Sequence, residues 1–316
     1  MIQDVSLFFL GLIILVAGAE ALIRGSVRVA RALGVSPFMI GFTLIGFGTS
    51  APELVVSLSA ALQGSSDIAL GNVVGSNIAN VGVVLGVAAL VRPLTAHMRL
   101  LWVEIPLVIA AALLLWALCF DNSLSRADGA ILLGGFALLC AYMYRSARRE
   151  PPAVKEEVGK AADVHMRVWV ACLLALVGIA ALVGGAHLMV VAAVEIAKSL
   201  GVGEWLIGLT VVAVGTSLPE VAAAVAAAYK GESDLVLGNV AGSNLFNVLL
   251  ILGTTVAVQP MAVPDAAVRN EIPVMVGFSL LLMVSVAHGM NIRRWEGAVM
   301  LAAYAGFIAW QVATQS

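Results

Sequence analysis

The sequence predicts an all-α polytopic membrane protein in which ten transmembrane helices form two inverted repeats of five helices each. Composition, the length of the apolar runs and an internal repeat predict this class. Of the 316 residues, 61% are apolar and 11% are charged, and the mean hydropathy is +1.04. Because soluble domains carry about 25% charged residues, a chain with so little polar surface is expected to lie in a lipid bilayer.

Apolar stretches of roughly 18 or more residues recur along the chain, and this is the length that a helix needs to cross a bilayer. The predicted spans, in order, are 6–30, 36–62, 68–91, 100–119, 128–146, 167–197, 204–229, 235–258, 270–288 and 294–312.

The second half of the chain repeats the first at a constant offset, which matches Gly41 to Gly208, and 25 of 53 positions are identical between 41–93 and 208–260. Five spans per half is an odd number, so the second copy must enter the membrane in the opposite orientation, which is an architecture of transporters. We predict a first repeat at 1–146, a cytoplasmic linker at 147–166 and a second repeat at 167–316.

The basic residues predict the orientation in the membrane. Of the seventeen Lys and Arg residues, only Arg126, Lys198 and Arg269 fall at one set of connections, and the other fourteen fall at the opposite set. By the positive-inside rule, the linker is expected in the cytoplasm and both termini outside, in an inner or plasma membrane.

Two motifs occur twice. The segment G-T-S-A-P-E at Gly48–Glu53 returns as G-T-S-L-P-E at Gly215–Glu220, and Gly71–Asn80 returns as Gly238–Asn247. Proline removes a backbone donor and disrupts the preceding helical turn, and freed backbone groups in lipid must find a partner. Loosened carbonyls, hydroxyls and one carboxylate are therefore expected to converge in each copy.

The second motif adds Ser76 and Asn80 in one repeat and Ser243 and Asn247 in the other, each pair spaced to share a helix face. These segments offer oxygen ligands, with no His or Cys nearby in the sequence, and such ligands suit a hard cation such as Ca²⁺. A single proline in a membrane helix is often only a kink. Two copies with Glu at the same place favour a functional site, because an ionisable group at bilayer depth is costly.

Other acidic residues are expected to be structural. Glu20 is matched by His187 across the repeat, so a satisfied polar contact is the main expectation and a role in the cation pathway the alternative. Glu104 and Glu271 precede prolines at predicted helix starts, where a carboxylate suits the helix dipole.

At the two duplicated motifs, the chain resembles the sodium/calcium exchanger family of the calcium/cation antiporter superfamily, in its compact prokaryotic type. The resemblance implies a cluster of cation sites at the bilayer midplane, with Glu53 and Glu220 as shared carboxylates and Thr49 and Thr216 at a Ca²⁺ position. It further implies Na⁺ positions and a central position built from Ser50, Ser76, Ser217, Ser243, the carbonyls of Gly46 and Ala213, Asn80 and Asn247.

Several members of that family carry Asp at one of the two central positions, whereas Asn80 and Asn247 are both Asn here. The expected charge of the site is therefore at most −2. It is balanced by one Ca²⁺, two Na⁺ or two protons, and three Na⁺ are permitted but not required.

We therefore predict a secondary antiporter that exchanges Ca²⁺ for Na⁺ by alternating access, and the alternative is exchange of Ca²⁺ or another divalent cation for H⁺. A channel is disfavoured by the inverted repeats, and an enzyme by the lack of a catalytic pair within the spans. No cofactor and no nucleic acid are expected, and the transport unit is expected to be a monomer in the bilayer.

Overall fold

The computed structural model of the chain describes residues 2–33, 36–148, 167–199, 215 and 217–315. Its α-helices are α1 Ile2–Leu33, α2 Pro37–Ile40, α3 Gly46–Thr49, α4 Ala51–Leu62, α5 Ser66–Ala79, α6 Gly86–Val91, α7 Ile105–Leu118, α8 Arg126–Arg148, α9 Val168–Ser199, α10 Leu218–Lys230, α11 Ser233–Leu245, α12 Gly253–Val258, α13 Ile272–Ala287 and α14 Arg294–Gln315. Its strands are β1 Leu94–Thr95, β2 Ser123–Leu124, β3 Met261–Ala262 and β4 Asn291–Ile292.

Five short π-helical segments connect several of these helices end to end. They are Gly41–Ile45, Asn80–Leu85, Leu100–Glu104, Phe246–Leu252 and Ala267–Glu271. A π-helical segment widens the helix by taking more residues per turn, and such segments are frequent at functional sites. Two of the five begin within the second duplicated motif, at Asn80 in the first copy and at Phe246 in the second.

Within the described residues, eight helices are long and apolar enough to cross a membrane, and a bent helix pair makes a ninth candidate. The bent pair joins Phe38–Thr49 to Ala51–Leu62 at an angle of 42°. These nine match nine predicted spans to within a few residues. The predicted span 204–229 lies partly outside the described residues, so the count of ten stays a prediction.

The elements repeat at the offset seen in the sequence. Strand β3 occupies the position in the second half that β1 occupies in the first, and the π-helical segment Ala267–Glu271 corresponds in the same way to Leu100–Glu104. Helices α9 and α14 are the equivalents of α1 and α8, to within a residue or two. Where both halves are described, they therefore have the same order of elements.

The strand pairing shows that the two halves are inverted. Strands β1 and β2 flank the span Leu100–Leu118, so they lie at opposite ends of it. Strand β1 pairs with β4, whereas β2 pairs with β3, in both cases antiparallel. Because β3 is the repeat equivalent of β1 but lies with β2, equivalent strands occupy opposite ends of the helix bundle.

Helices α1 and α9 are repeat equivalents that pack against each other along their length. A Cβ atom added to Gly11 would lie 2.8 Å from the carbonyl oxygen of Gly185, and one added to Gly178 would lie 2.8 Å from that of Gly18. The two contacts are equivalent, because Gly178 is the repeat equivalent of Gly11 and Gly185 is that of Gly18. Close approach of two backbones at small residues is a common basis of helix association in membranes.

Glu20 of α1 is satisfied by ion pairs, in agreement with the main expectation. Its Oε1 accepts from Nε of Arg24 at 2.5 Å and from Nζ of Lys230 at 2.8 Å. Lys230 ends α10, so the ion pair links α1 to the second repeat.

Candidate functional site

Each proline of the duplicated motif begins a helix just after a break. Ser50 separates α3 from α4 with φ −83° and ψ 7°, and Ser217 precedes α10 with φ −88° and ψ 1°. Because proline has no N–H, Pro52 and Pro219 leave the carbonyl groups four residues earlier without their usual helical donor. The two breaks have the same backbone conformation and place Glu53 and Glu220 in the first turn of the following helix.

The two glutamates are buried and belong to one site. Glu53 is 1% exposed and Glu220 is 2% exposed. The hydroxyl of Ser50, three residues before Glu53, donates to Oε1 of Glu220 at 3.4 Å across the repeat interface. The Oε2 atom of each glutamate is buried and has no hydrogen-bond partner in the described part of the chain.

Further oxygen atoms from both repeats meet in the helical turn that precedes the break at Ser50. Ser243 Oγ donates to the carbonyl oxygen of Gly46 at 3.4 Å, so a side chain of α11 meets the first residue of α3. Thr49 Oγ1 donates to the carbonyl oxygen of Ile45 at 3.0 Å and lies 3.4 Å from Oδ1 of Asn239. Hydroxyl, carbonyl and amide oxygens therefore lie in the same region as the carboxylates.

Glycines allow this close approach of the first repeat to α11. A Cβ atom added to Gly242 would lie 2.2 Å from the carbonyl oxygen of Phe42, and one added to Gly238 would lie 2.3 Å from that of Phe38. The contact between Ser243 and the backbone at Gly46 depends on this spacing.

Most of the predicted site residues are buried. Those described as buried are Gly46, Thr49, Ser50, Glu53, Ser76, Asn80, Ser217, Glu220, Ser243 and Asn247. Ala213 and Thr216 lie outside the described residues. The hydrogen bonds given above join Ser50 to Glu220 and Ser243 to Gly46. Ser76 and Ser217 are buried as well, but none of these bonds joins them to another predicted site residue.

The sequence reasoning missed four asparagines of the second motif. Asn72 donates through Nδ2 to the carbonyl oxygen of Glu53 at 3.2 Å and to Ser57 Oγ at 2.9 Å. Its repeat equivalent Asn239 lies beside Thr49. The missed residues are Asn72, Asn77, Asn239 and Asn244. Their own duplication at the repeat offset is the signal that could have found them.

The two repeats differ at the residue that accepts a hydrogen bond from Asn72 or from its repeat equivalent, Asn239. Asn72 donates to Ser57, but the equivalent of Ser57 is Ala224, and Nδ2 of Asn239 is buried without a partner among the described residues. An unsatisfied buried donor costs about 1–3 kcal/mol. We expect Ala224→Ser to raise the melting temperature of the purified protein by supplying the acceptor.

The reciprocal variant Ser57→Ala is the matched control and is expected to lower the melting temperature. Thermal unfolding in detergent, followed by tryptophan fluorescence, measures both changes. A lower melting temperature for Ala224→Ser would show that Asn239 is satisfied in another way.

The charge of the site calls for a cation. Glu53 and Glu220 form no ion pair with Lys, Arg or His within the described ranges, and no group of three or more His, Cys, Asp and Glu side chains that could hold a metal ion occurs there. A buried unpaired charge is strongly unfavourable. Two carboxylates among neutral oxygen donors suit a hard cation.

Comparisons with known proteins agree with this geometry. The family model of the sodium/calcium exchanger protein matches residues 4–145 and 170–313. The chain is 39% identical over 302 residues to CaxA of Alkalimonas amylolytica, covering 94% of this chain and 95% of that protein. It is 33% identical over 348 residues to the sodium/calcium exchanger MaX1 of Methanosarcina acetivorans, covering 96% of each.

A solved structure shows the same fold. The sodium-calcium exchanger NCX_Mj aligns with a TM-score of 0.83 and 32% identity, covering 98% of this chain and 99% of that chain. The family match covers both repeats, and the structural match covers nearly the whole chain. By these matches, and in keeping with its buried pair of glutamates, the chain belongs to the sodium/calcium exchanger family of membrane antiporters.

Proposed function

We propose that this protein exchanges Ca²⁺ for Na⁺ across the membrane by alternating access. The observation that carries the proposal is the buried pair of Glu53 and Glu220, each with a carboxylate oxygen that lacks a partner among the described residues. One Ca²⁺ ion neutralises both charges, and two Na⁺ ions do the same. Ca²⁺ and Na⁺ can therefore neutralise the same site alternately, as antiport requires.

The proposed ligands come from both repeats. Glu53 and Glu220, with Thr49 and Thr216, hold Ca²⁺ in this proposal. The Na⁺ positions and the central position use the oxygens of Gly46, Ser50, Ser76, Asn80, Ala213, Ser217, Ser243 and Asn247. Support comes from the family and from NCX_Mj, a sodium-calcium exchanger whose structures were obtained after soaking with Na⁺, Ca²⁺ and Sr²⁺.

The division of the chain supports alternating access. We propose repeats at 1–146 and 167–316, joined by a linker at 147–166, with α1 and α9 moving together against the other helices. Their close packing on each other allows them to move as one unit. We assign a single chain as the transport unit, because both halves of the site come from one chain.

The distribution of charge supports an orientation. Lys230, Arg92 and Arg294 lie near the β1–β4 end of the bundle, and the basic residues of the linker are assigned to the same end by the span count. We propose that this end faces the cytoplasm and that both termini lie outside. A relative, YrbG of Escherichia coli, is named an inner membrane protein and is 32% identical over 323 residues.

Coupling to protons is the second candidate function. A carboxylate oxygen without a hydrogen-bond partner can bind a proton as well as a metal ion. The site has two such oxygens among the described residues, Oε2 of Glu53 and Oε2 of Glu220. Two protons balance its charge in the same way as two Na⁺ ions.

The test is uptake of ⁴⁵Ca²⁺ into proteoliposomes that contain the purified protein. We expect an outward Na⁺ gradient to drive uptake at constant pH, and a collapse of that gradient by a Na⁺ ionophore to stop it. An outward H⁺ gradient without Na⁺ is the matched condition. Uptake driven only by the H⁺ gradient would show that H⁺, and not Na⁺, is the coupling ion. Uptake in the absence of both gradients would contradict antiport.

A further inference from the structure

Four buried asparagine side chains form a hydrogen-bonded cluster where the two repeats meet. Asn80 Nδ2 donates to Oδ1 of Asn244 at 3.0 Å, and Asn247 Nδ2 donates to Oδ1 of Asn77 at 3.0 Å. These two bonds are exchanged by the repeat offset. All four residues are at most 4% exposed, so both bonds lie away from the protein surface.

A third bond sets the orientation of one amide and hence the chemistry required at position 247. Asn77 Nδ2 donates to the backbone carbonyl of Asn244 at 3.3 Å. The NH₂ group of Asn77 therefore faces a carbonyl oxygen, and its Oδ1 is left to accept from Asn247. An ionised aspartate at 247 would set an acceptor against an acceptor, so the cluster favours a neutral hydrogen-bond donor there.

At position 80, Asn80 Nδ2 donates to Oδ1 of Asn244, and an ionised carboxylate at 80 would lose this bond. Both central positions are thus neutral, and an amide neither takes up nor releases a proton near neutral pH.

The remaining charges of the described interior can be counted. Its buried acidic side chains are Glu53, Glu104, Glu220 and Glu296. Glu104 pairs with Arg99 at 2.8 Å, and Glu296 accepts from the backbone N–H of Arg293 beside β4. Of these four described side chains, Glu53 and Glu220 are left for the transported ions, and they give the described part of the site a charge of −2 when both are ionised.

We propose that the asparagine cluster makes the exchange electroneutral, so that one Ca²⁺ moves against two monovalent cations. The proposal rests on the proposed function and adds its stoichiometry. A third monovalent cation is permitted only if hydroxyl, amide and carbonyl dipoles offset its excess charge in a site of low dielectric constant. The cluster offers no carboxylate to balance it. Asn77 and Asn244 act as positioning residues, because they hold the amides of Asn247 and Asn80.

The test measures the final Ca²⁺ accumulation ratio in proteoliposomes whose membrane potential is clamped by K⁺ and valinomycin. With two Na⁺ per Ca²⁺, a tenfold Na⁺ gradient gives an accumulation ratio of about 100-fold, and the ratio is the same at 0 and at about 100 mV. Three Na⁺ per Ca²⁺ would give about 1,000-fold at zero potential. They would also shift the ratio about 50-fold for each 100 mV, since one net charge crosses the membrane.

The outcomes separate this inference from the proposed function. Absence of uptake driven by Na⁺ or H⁺ gradients would overturn antiport itself. Uptake with an accumulation ratio that depends on potential would leave antiport standing and overturn electroneutrality. If H⁺ is the coupling ion, the same measurement is made with a pH gradient, and the expected ratio is again the square of the gradient.

Two variants test the role of the cluster. Asn247→Asp and its repeat equivalent Asn80→Asp each add a negative charge, and we expect the accumulation ratio of at least one of them to become dependent on potential. A loss of structure alone would lower the rate of uptake without changing the final ratio. Ratios that stay independent of potential in both transporting variants would contradict the assignment, and the wild-type measurement decides electroneutrality by itself.

Discussion

Glu53→Gln and Glu220→Gln are each expected to abolish Ca²⁺ transport. Glutamine keeps the size of the side chain and removes one of the two charges of the site. At an effective dielectric constant of about 20, a unit charge pair at about 4 Å is worth about 4 kcal/mol, and Ca²⁺ carries two charges. Since about 1.4 kcal/mol is a tenfold change in affinity, we expect ⁴⁵Ca²⁺ uptake to fall below detection.

A second readout distinguishes lost binding from lost folding. Ca²⁺ that binds only the folded state raises the melting temperature as its concentration rises, and we expect this shift in the wild type but not in either variant. Without Ca²⁺ the variants are expected to be at least as stable as the wild type, because a buried unpaired charge has been removed.

Glu104→Gln is the matched control for charge removal at a buried glutamate. Glu104 is fully buried, but it pairs with Arg99, and this ion pair includes no residue of the proposed site. We expect this variant to keep most of its transport activity even where its melting temperature falls. Normal flux in Glu53→Gln or Glu220→Gln would refute the site.

Gly242→Ala is expected to damage both the fold and the site. Its Cβ would lie 2.2 Å from the carbonyl oxygen of Phe42, and a backbone atom has no alternative rotamer to relieve the overlap. The helices must therefore move apart, which costs on the order of 1–3 kcal/mol or more. The movement separates Ser243 from Gly46, so we expect a lower melting temperature and an apparent Ca²⁺ affinity at least about tenfold weaker.

Gly277→Ala is the matched control for this substitution. Gly277 lies within α13, and a Cβ there meets no atom within 4 Å in the described part of the protein. Alanine favours a helix by about 1 kcal/mol over glycine, so this variant is expected to be at least as stable as the wild type and fully active. Equal melting temperatures for the two variants would contradict the close-packing argument.

Local features of the sequence were enough to predict the nine spans that the described residues contain, and the breaks. The length of an apolar run decides whether it crosses the bilayer, and the break between α3 and α4 follows from the missing N–H of Pro52. The π-helical segments were not predicted, because a π-turn depends on how the neighbouring helices hold the backbone. Asn80 and Phe246 each begin such a segment.

The sequence by itself determined the membrane class and the repeat, because these follow from hydropathy and spacing. It also predicted the inversion and singled out Glu53 and Glu220 as candidate site residues. Only the tertiary structure decided which atoms meet across the repeat interface. Ser50 bonds to Glu220, and Asn247 bonds to Asn77, both at a separation of 170 residues. Contacts between residues so far apart depend on how two inverted halves pack, and the orientation of an amide depends on the partner that the packing supplies.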